Sequence, residues 1–385
     1  MTRRLVILTE IVAPYRIPVF NALAARGDVQ LHVIFLSEND PSLRQWHVYK
    51  EEIRFSYEVL PAWRRRIGKY NALLNWGVST ALRRAQPDAL LCGGYAYVAS
   101  WQAAFWAKRH GVPLLLWSES TALDIRRGHR VVEFIKRKFR QRCQAFVAAG
   151  KTSRDYLLAL GASSDSIFIA PDAVDVHFFA AGAEEARERE REIRNRNNLP
   201  PRYFLCVGRL IREKGVYELL DAYAKLDASV RSRIGLVVVG DGAARQELER
   251  LAAGIQPGVV RFCGWVHREQ IPEIYALAEA FVFPTYSDPW GLVVNEAMAC
   301  RLPIVASQVA GCVPDLLRDG WNGFAVQPRD VEGLVRSMQW LFDDPESARR
   351  MGSRSFQRIQ DYTPEKCAAG IGQALASSLV NQHDK

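Results

Sequence analysis

The sequence of 385 residues lacks the hydrophobic segments of a membrane or secreted protein. No apolar run approaches the roughly 20 residues that a helix needs to span a bilayer, and the mean hydropathy is -0.12. The first apolar stretch, Leu5-Val6-Ile7-Leu8, is shorter than the roughly 7–15 residues of a signal peptide, and Glu10 follows it closely. We therefore expect a cytoplasmic protein whose chain starts with a β-strand.

The sequence also lacks the patterns of a disulfide framework or a metal site. Its seven cysteines are an odd number without Cys-x-x-Cys spacing. Its seven histidines show no metal-ligand spacing, and no Asp-x-Asp motif occurs. This usage is typical of reduced, buried thiols in a cytoplasmic protein, and it predicts no metal.

The excess of positive charge lies in one half of the chain. Residues 1–175 hold 25 Lys and Arg against 15 Asp and Glu, whereas residues 176–385 hold 26 against 27. A basic half indicates an acidic partner, such as nucleic acid, an anionic membrane surface or a phosphorylated substrate. No known nucleic-acid-binding motif occurs, so we expect no nucleic-acid partner.

Apolar runs of strand length alternate with amphipathic segments along both halves of the chain, a pattern that predicts parallel sheets wrapped by helices. We expect an α/β protein with two Rossmann-like domains facing each other across a cleft. The predicted domains are residues 1–178 and 201–362, joined by a charged linker over 179–200, with a final helix in 363–385 crossing back to the first domain. In the first domain, Asn71–Ala85 is predicted to be a helix.

The central stretch runs from Ser287 to Glu296 and carries two carboxylates, Asp288 and Glu296. A buried strand is predicted before it, and a helix is predicted to begin just after Gly291. The start of a helix leaves free backbone N–H groups that can bind an anion. The residues alone leave two interpretations open: a ligand-binding pair, or a loop acid and an unrelated acid on a helix surface.

Three further positions follow predicted strands of the second half. Arg209 and Lys214 come after the first of these strands and could bracket a phosphate; alone, they are also compatible with two solvated cations. Gly240 lies in a Gly-Asp-Gly turn that could border a nucleotide or could be an ordinary turn. Trp265 could lie against a base or ribose, or could belong to the core.

Taken in order, these motifs resemble the retaining glycosyltransferases of family four, which have the GT-B fold. The resemblance is closest from Pro171 to about Val326, where the segments Gly-Arg-x4-Lys-Gly, Gly-Asp-Gly and Pro-x3-Asp-x7-Glu follow one another. Further similar segments are Pro171–Asp175, Gly311–Leu317 and Gly320–Phe324. In the first half, Tyr15–Asn21 resembles the amino-terminal motif of many bacterial members.

The resemblance implies a nucleotide-sugar site in the second domain and an acceptor site in the first. Arg209 and Lys214 would hold the pyrophosphate and stabilise the departing nucleotide in place of a metal ion. Glu296 would bind the ribose hydroxyls, and Asp288 would bind the donor sugar. The backbone N–H groups of Trp290, Gly291, Leu292 and Val293 would hold the donor sugar and its phosphate, beside the walls that the residues themselves predict at Gly240 and Trp265.

Three departures from the family pattern affect particular residues. Asp288 is one methylene shorter than the usual Glu. Val12-Ala13-Pro14 stands where many relatives have a glycine-rich loop, which leaves Arg16 as the group that would face the phosphate. Glu119 occupies the position of the family's histidine, and we expect it to face the donor sugar or the acceptor hydroxyl. A helix-capping role for Glu119 is the alternative.

A basic, aromatic segment of the first half is predicted to contact anionic membrane or a lipid diphosphate, since cations beside a tryptophan suit the membrane interface. A merely solvated surface is the alternative. The predicted contact residues are Trp63, Arg64, Arg65, Arg66 and Lys69.

The sequence therefore predicts a metal-independent, retaining glycosyltransferase on the cytoplasmic side of a membrane. Its acceptor would be a hydroxyl, on a lipid-linked saccharide in surface polysaccharide synthesis. Three alternatives remain on the same fold: a transferase with a small natural-product acceptor, a nucleotide-sugar epimerase and a hydrolase. The non-enzyme alternatives are a nucleic-acid-binding module that uses the basic half and a degenerate binding or scaffold protein without turnover. The sequence identifies neither the sugar nor the base nor the acceptor.

Overall fold

The computed structural model describes residues 2–39, 48–67, 70–122 and 130–380, which form two compact units. Unit 1 contains the described residues up to Val174 and those from Thr363 onward, and unit 2 is Asp175–Tyr362. Each unit has its own parallel sheet. The predicted α/β class with two Rossmann-like domains is confirmed.

Unit 1 is built on a seven-stranded parallel sheet in the order β3-β2-β1-β6-β7-β8-β9, and two further strands form a separate antiparallel hairpin. Its strands are β1 (Arg3–Ile11), β2 (Val29–Ser37), β3 (Ser56–Val59), β4 (Ala62–Ile67), β5 (Tyr70–Asn75), β6 (Ala89–Cys92), β7 (Leu114–Ser118), β8 (Ala145–Ala148) and β9 (Ile167–Ile169). The strand order reverses between β1 and β6. Loops at the carboxyl ends of such neighbouring strands are where α/β proteins bind ligands.

Helices cover both faces of this sheet because alternate strand residues point to opposite sides. The helices before unit 2 are α1 (Ile17–Ala24), α2 (Val78–Ala85), α3 (Val98–His110), α4 (Arg130–Arg140) and α5 (Lys151–Ala159). On β1, Leu5 and Ile7 join the core on one side, whereas Val6 and Leu8 join the core on the other.

Unit 2 has a six-stranded parallel sheet in the order β12-β11-β10-β13-β14-β15. Its strands are β10 (Tyr203–Val207), β11 (Gly235–Val239), β12 (Val260–Gly264), β13 (Ala280–Phe283), β14 (Ile304–Ser307) and β15 (Gly323–Val326). In the unit's own numbering the order is 3-2-1-4-5-6, that of dinucleotide-binding Rossmann folds. The order reverses between β10 and β13.

The helices of unit 2 are α6 (Val176–Glu188), α7 (Glu190–Asn197), α8 (Val216–Lys225), α9 (Ala228–Arg231), α10 (Arg245–Ala253), α11 (Ile271–Ala276), α12 (Leu292–Ala299), α13 (Val313–Leu316), α14 (Val331–Asp343) and α15 (Pro345–Ile359). The interpretation of 179–200 as a separate linker is wrong. Its helices belong to unit 2, because α6 packs on α11 and α12 and buries Phe179 and Ala183.

The helix α16 (Pro364–Val380) belongs to unit 1 and packs on α1, β8 and β9. Cys367, Ala368 and Ile371 of α16 lie in the same core as Leu5 and Ile7 of β1. The core of unit 1 is therefore built from two separate stretches of sequence.

The segment predicted as one helix over Asn71–Ala85 is a strand followed by a helix. Residues of β5 pair with β4, with Trp63 opposite Leu74, and α2 begins only at Val78. Pairing with a partner strand outweighs the local helical pattern, which sequence periodicity alone does not register. In the described part of the chain, every helix is too short or too polar to cross a membrane.

Candidate active site

In unit 2, Lys214 and Asp288 form an ion pair at the point where the strand order reverses. Lys214 ends a short 3-10 helix, Arg212–Lys214, on the connection that leaves β10, and Asp288 lies in the loop that leaves the neighbouring strand β13. The Nζ atom contacts Oδ2, and the side chains are only 15% and 16% exposed. Partial burial strengthens this pair relative to a surface ion pair.

The second carboxylate oxygen of Asp288 organises the start of α12. Its Oδ1 accepts the backbone N–H of Trp290 at 3.2 Å, and the Trp290 indole N–H donates to Asn295 Oδ1 at 2.9 Å. The Trp290 side chain is buried, so its role is structural. Because the Trp290 backbone N–H already donates to Asp288, this group is not free to bind a donor. The amides of Leu292 and Val293, in the first turn of α12, are the better candidates.

Gly291 is required at the N-cap of α12 by its backbone and its surroundings. Its φ is 100°, a left-handed conformation that side chains rarely adopt. A Cβ atom here would also lie 2.8 Å from the Phe283 ring. The glycine thus allows the chain to turn from the Asp288 loop into α12.

Glu296, in the second turn of α12, accepts a hydrogen bond from the Tyr275 hydroxyl on Oε2 at 2.8 Å. Burial raises the pKa of Glu296 from 4.5 to about 7, while the Tyr275 hydrogen bond and the positive charge of Arg268 act in the lowering direction. Its Oε1 makes no hydrogen bond to the described residues. One oxygen is therefore fixed by the protein and the other is available to a ligand hydroxyl.

Arg209 is exposed, and within the described chain its guanidinium makes no hydrogen bond or ion pair. Arg209 therefore differs from Lys214, which is paired with Asp288. Both follow the carboxyl end of β10, and only Lys214 is held by a protein partner. Arg209 keeps the freedom to meet an anion.

Gly240 and Trp265 lie at the carboxyl ends of β11 and β12. A Cβ atom on Gly240 would lie 1.9 Å from the carbonyl oxygen of Gly208, so close packing of two loops requires glycine there. Trp265 is 46% exposed and does not belong to the core. The exposed ring is compatible with the predicted contact with a base or ribose, which stays a prediction.

In unit 1, Arg16 and Glu119 form an ion pair. Arg16 follows β1, and Glu119 directly follows β7. The Arg16 guanidinium also lies over the Trp117 ring, 4.2 Å from its centroid. The predicted phosphate-side residue and the residue in the family's histidine position thus contact each other, and each holds the other in place.

The predicted membrane-contact residues do not share one face. On β4, Trp63 and Arg65 are exposed, whereas Arg64 points the other way and lies 3.7 Å from Glu10. Arg64 is therefore not placed for the predicted membrane contact. The side chain of Arg66 and all of Lys69 lie outside the described residues.

Sequence reasoning missed Tyr275 and Arg268, the two residues that tune Glu296. Tyr275 lies in an apolar helix and has the sequence signature of a core residue. Arg268 is one of many arginines in the chain. The packing of α11 on α12 brings Tyr275 to Glu296, and Arg268 lies in the segment before α11.

Two family models together match most of the chain. Residues 18–173 match the model described as "Glycosyl transferase 4-like domain", and residues 187–358 match "Glycosyl transferases group 1". These matches correspond to the two units of the structure.

Among curated relatives, α-D-kanosaminyltransferase from Streptomyces kanamyceticus is 36% identical over 174 residues, or 44% of this chain and 44% of its own length. O-antigen chain mannosyltransferase B from Escherichia coli is 32% identical over 172 residues, or 43% of each. The chain thus spans less than half the length of these relatives.

A solved structure extends the similarity over the whole chain. HepE from Anabaena, in complex with UDP-glucose, has a TM-score of 0.75 and 18% identity, and the match covers 97% of this chain and 100% of that one. At this identity the likeness concerns the fold. With the two family models, it confirms the resemblance seen in the sequence: the chain belongs to the family-four glycosyltransferases, which have the GT-B fold.

Proposed function

We propose that this chain is a retaining, metal-independent glycosyltransferase that moves a sugar from a nucleoside diphosphate donor to a hydroxyl acceptor. The observation that carries this proposal is the arrangement at the strand-order reversal of unit 2. There, Lys214 and Asp288 form an ion pair beside the start of α12, and Glu296 lies one turn further along the same helix. A cation, helix amides and a carboxylate suit a diphosphate followed by a ribose.

Lys214 would exchange partners when the donor binds. Without ligand, its charge is balanced by Asp288. A diphosphate brings greater negative charge and would draw the Lys214 ammonium away from the carboxylate. Arg209, which has no protein partner in the described chain, would add a second cation. Asp288 would then be free to accept a hydrogen bond from a hydroxyl of the donor sugar.

The chemical step needs no protein nucleophile in this proposal. The bond between the anomeric carbon and the diphosphate oxygen breaks, and the acceptor oxygen bonds to the same face of that carbon. The acceptor proton passes to the departing phosphate oxygen. Lys214 and Arg209 would stabilise the charge that develops on that phosphate, a role in which electrostatic stabilisation is often the largest catalytic contribution.

A thermal-shift screen with UDP-, GDP-, ADP- and dTDP-sugars tests the donor site. We expect one base series to raise the melting temperature, because a ligand that binds the folded state stabilises it. Glu296→Ala should abolish the shift, whereas Glu332→Ala, on the exposed face of α14, should keep it. Stabilisation by none of the four series, or an unchanged shift in Glu296→Ala, would contradict the assignment.

Product analysis separates transfer from the alternative activities. Incubation with the stabilising donor and saccharide acceptors should give a glycoside with the donor's anomeric configuration. A free sugar with no acceptor product would indicate a hydrolase, and an isomeric nucleotide sugar would indicate an epimerase. Added EDTA should leave turnover unchanged if no metal takes part.

The proposed acceptor is a lipid-linked saccharide of surface polysaccharide synthesis, presented at the cytoplasmic face of a membrane. Similarity to an O-antigen chain mannosyltransferase supports this class. We further propose that Glu119 faces the reacting sugar or acceptor hydroxyl. Arg16, which forms an ion pair with Glu119 in unit 1, would hold this carboxylate in place.

A surface on the β4–β5 hairpin supports membrane contact. Trp63 and Leu74 are opposite each other and are each 43% exposed, with Arg65 on the same face and the exposed Trp76 just beyond β5. We name these four residues the hairpin surface. Tryptophans beside a cation suit the boundary between lipid headgroups and acyl chains, and the basic first half favours anionic lipid.

Vesicle sedimentation tests this surface. The protein should sediment with vesicles of phosphatidylcholine and phosphatidylglycerol, and less with phosphatidylcholine alone. Trp63→Ser with Trp76→Ser should reduce binding at least about fivefold, since each buried indole contributes on the order of 1 kcal/mol or more. Trp340→Ser, an exposed tryptophan of unit 2, serves as the matched control. Equal loss in both proteins would contradict the proposal.

A further inference from the structure

Thr285 lies between the two chain segments that carry Lys214 and Asp288. It follows Pro284 at the exit of β13 and is completely buried, at 0% exposure. A buried hydroxyl group has to find hydrogen-bond partners within the protein. The partners of Thr285 lie on both segments.

The first partner is in the turn that carries Lys214. Thr285 Oγ1 donates to the carbonyl oxygen of Glu213, the residue before Lys214, at 3.0 Å. The Tyr286 backbone N–H donates to the same oxygen at 2.8 Å. The carbonyl just before Lys214 is therefore fixed by two donors from the exit of β13.

The second partner is in the loop that carries Asp288. Thr285 Oγ1 accepts the backbone N–H of Ser287, the residue before Asp288, at 3.3 Å. Its distance to the Ser287 carbonyl oxygen is 3.1 Å. Because a hydroxyl has one proton, it donates to one carbonyl at a time, and Glu213 is the nearer. One side chain thus ties together the residues that precede Lys214 and Asp288.

The turn is also held on the other side of Lys214. Gly215 has φ of 70°, and a Cβ atom there would lie 2.0 Å from the carbonyl oxygen of Pro284. The backbone before and after Lys214 is therefore packed on residues 284–286. Little freedom remains for the position of the Lys214 Cα atom, so the reach of its ammonium is set by this packing.

We propose that Thr285 is a positioning residue that sets the distance between Lys214 and Asp288 and so prepares Lys214 to bind the donor diphosphate. Thr285 itself is completely buried, so its role would be to position Lys214 and not to contact the substrate. The proposal rests on the proposed function for the role of Lys214. It adds to that function a residue outside the donor site, because the Thr285 hydroxyl would set the distance between Lys214 and Asp288.

Thr285→Val tests the hydroxyl with little change of shape, and Thr285→Ser restores the hydroxyl. The probes are UDP, GDP, ADP and dTDP with their nucleosides, measured by calorimetry. For the diphosphate that wild type binds most tightly, we expect about a tenfold loss of affinity in Thr285→Val, the size of one lost hydrogen bond. The nucleoside should bind all three proteins equally, and Thr285→Ser should bind the diphosphate within about twofold of wild type.

The comparison of diphosphate with nucleoside separates positioning from general damage. Equal diphosphate affinity in Thr285→Val and wild type would overturn the proposal. An equal loss for the nucleoside would do so too, because it would indicate damage to the whole site. If Thr285→Val does not fold, Thr285→Ala, which cannot clash, takes its place in the same comparison.

A measurement without ligand keeps this inference distinct from the proposed function. In a double-mutant cycle of Lys214→Met and Thr285→Val, we expect melting-temperature changes that depart from additivity by about 2 °C or more, as for coupled neighbours. Additive changes would overturn the inference. If none of the four diphosphates binds wild type while the cycle shows coupling, the donor assignment fails and the positioning role stands.

Discussion

The hydroxyl group of Tyr275 on α11 donates to Oε2 of Glu296 on α12 at 2.8 Å, so the acid assigned to the ribose is oriented by a neighbouring helix. Burial has the larger effect on this acid and raises its pKa from 4.5 to about 7. The site therefore holds a carboxyl group whose charge changes close to neutral pH.

The first prediction concerns stability against pH. The folded protein binds the Glu296 proton more tightly than the unfolded chain does. The stabilisation that this group contributes is therefore complete below pH 4.5. It is lost as pH rises to about 7, and the loss is on the order of 3 kcal/mol. Glu296→Gln carries no charge and should melt several degrees higher than wild type at pH 8, with the difference shrinking at pH 5. Thermal melts at both values check this, with Glu332→Gln as the control. A pH-independent difference would contradict it.

The second prediction concerns Tyr275→Phe. Loss of the hydroxyl removes a hydrogen bond that favours the charged carboxylate, so the pKa of Glu296 should rise further. The acidic limb of the pH profile of kcat/KM should move upward by roughly half to one unit. Tyr203→Phe removes a buried hydroxyl that bonds the Ile274 carbonyl and not Glu296, so its profile should match wild type. Equal displacement of both profiles would argue against the assignment.

The third prediction separates the two members of the ion pair. Asp288→Asn removes the negative charge that balances Lys214, so nucleoside diphosphate affinity should rise severalfold while kcat falls at least about tenfold. Lys214→Met should lower both affinity and kcat. Calorimetry with the diphosphate and steady-state kinetics with the donor measure these effects. Weaker diphosphate binding in Asp288→Asn would show that Asp288 does not compete for Lys214.

The fourth prediction concerns Gly311, which contacts the loop of Asp288. Its N–H donates to the Asp288 carbonyl oxygen at 2.9 Å, and a Cβ atom there would lie 1.8 Å from the Pro289 carbonyl oxygen. Gly311→Ala should displace this loop, lower the melting temperature by several degrees and abolish most activity. The control is Gly254→Ala, where the nearest atom would be 3.5 Å away. Full activity in Gly311→Ala would contradict the tight packing.

The sheets, and the loops that carry Lys214 and Asp288, could be predicted from the sequence because apolar runs and loop motifs are local signals. The loops carrying Lys214 and Asp288 fall at adjacent strand ends, as the motif order indicated. The β4–β5 hairpin was missed because strand pairing is not a local property. The sequence also did not predict the burial of Trp290 or the inward orientation of Arg64. Both depend on contacts with residues that are distant in sequence.

The pairings inside the candidate sites could not be predicted from the sequence. Residues 16 and 119 are separated by 103 positions, and residues 214 and 288 by 74. No periodicity links such positions. Their contacts depend on the order of the strands, which the predicted fold indicates only in general terms. They also depend on side-chain rotamers, which are determined by packing in the folded protein.

The place of α16 in the core of unit 1 bears on how the chain is made. Unit 2 is continuous from Asp175 to Tyr362, so all of its residues are translated before α16. The core of unit 1 starts first and is completed last, because Cys367, Ala368 and Ile371 belong to the same core as Leu5 and Ile7 of β1. Until α16 is added, the core of unit 1 lacks the apolar side chains that this helix contributes, whereas every residue of unit 2 has already been translated. Unit 1 therefore begins first in translation and is the second of the two units whose sequence is complete.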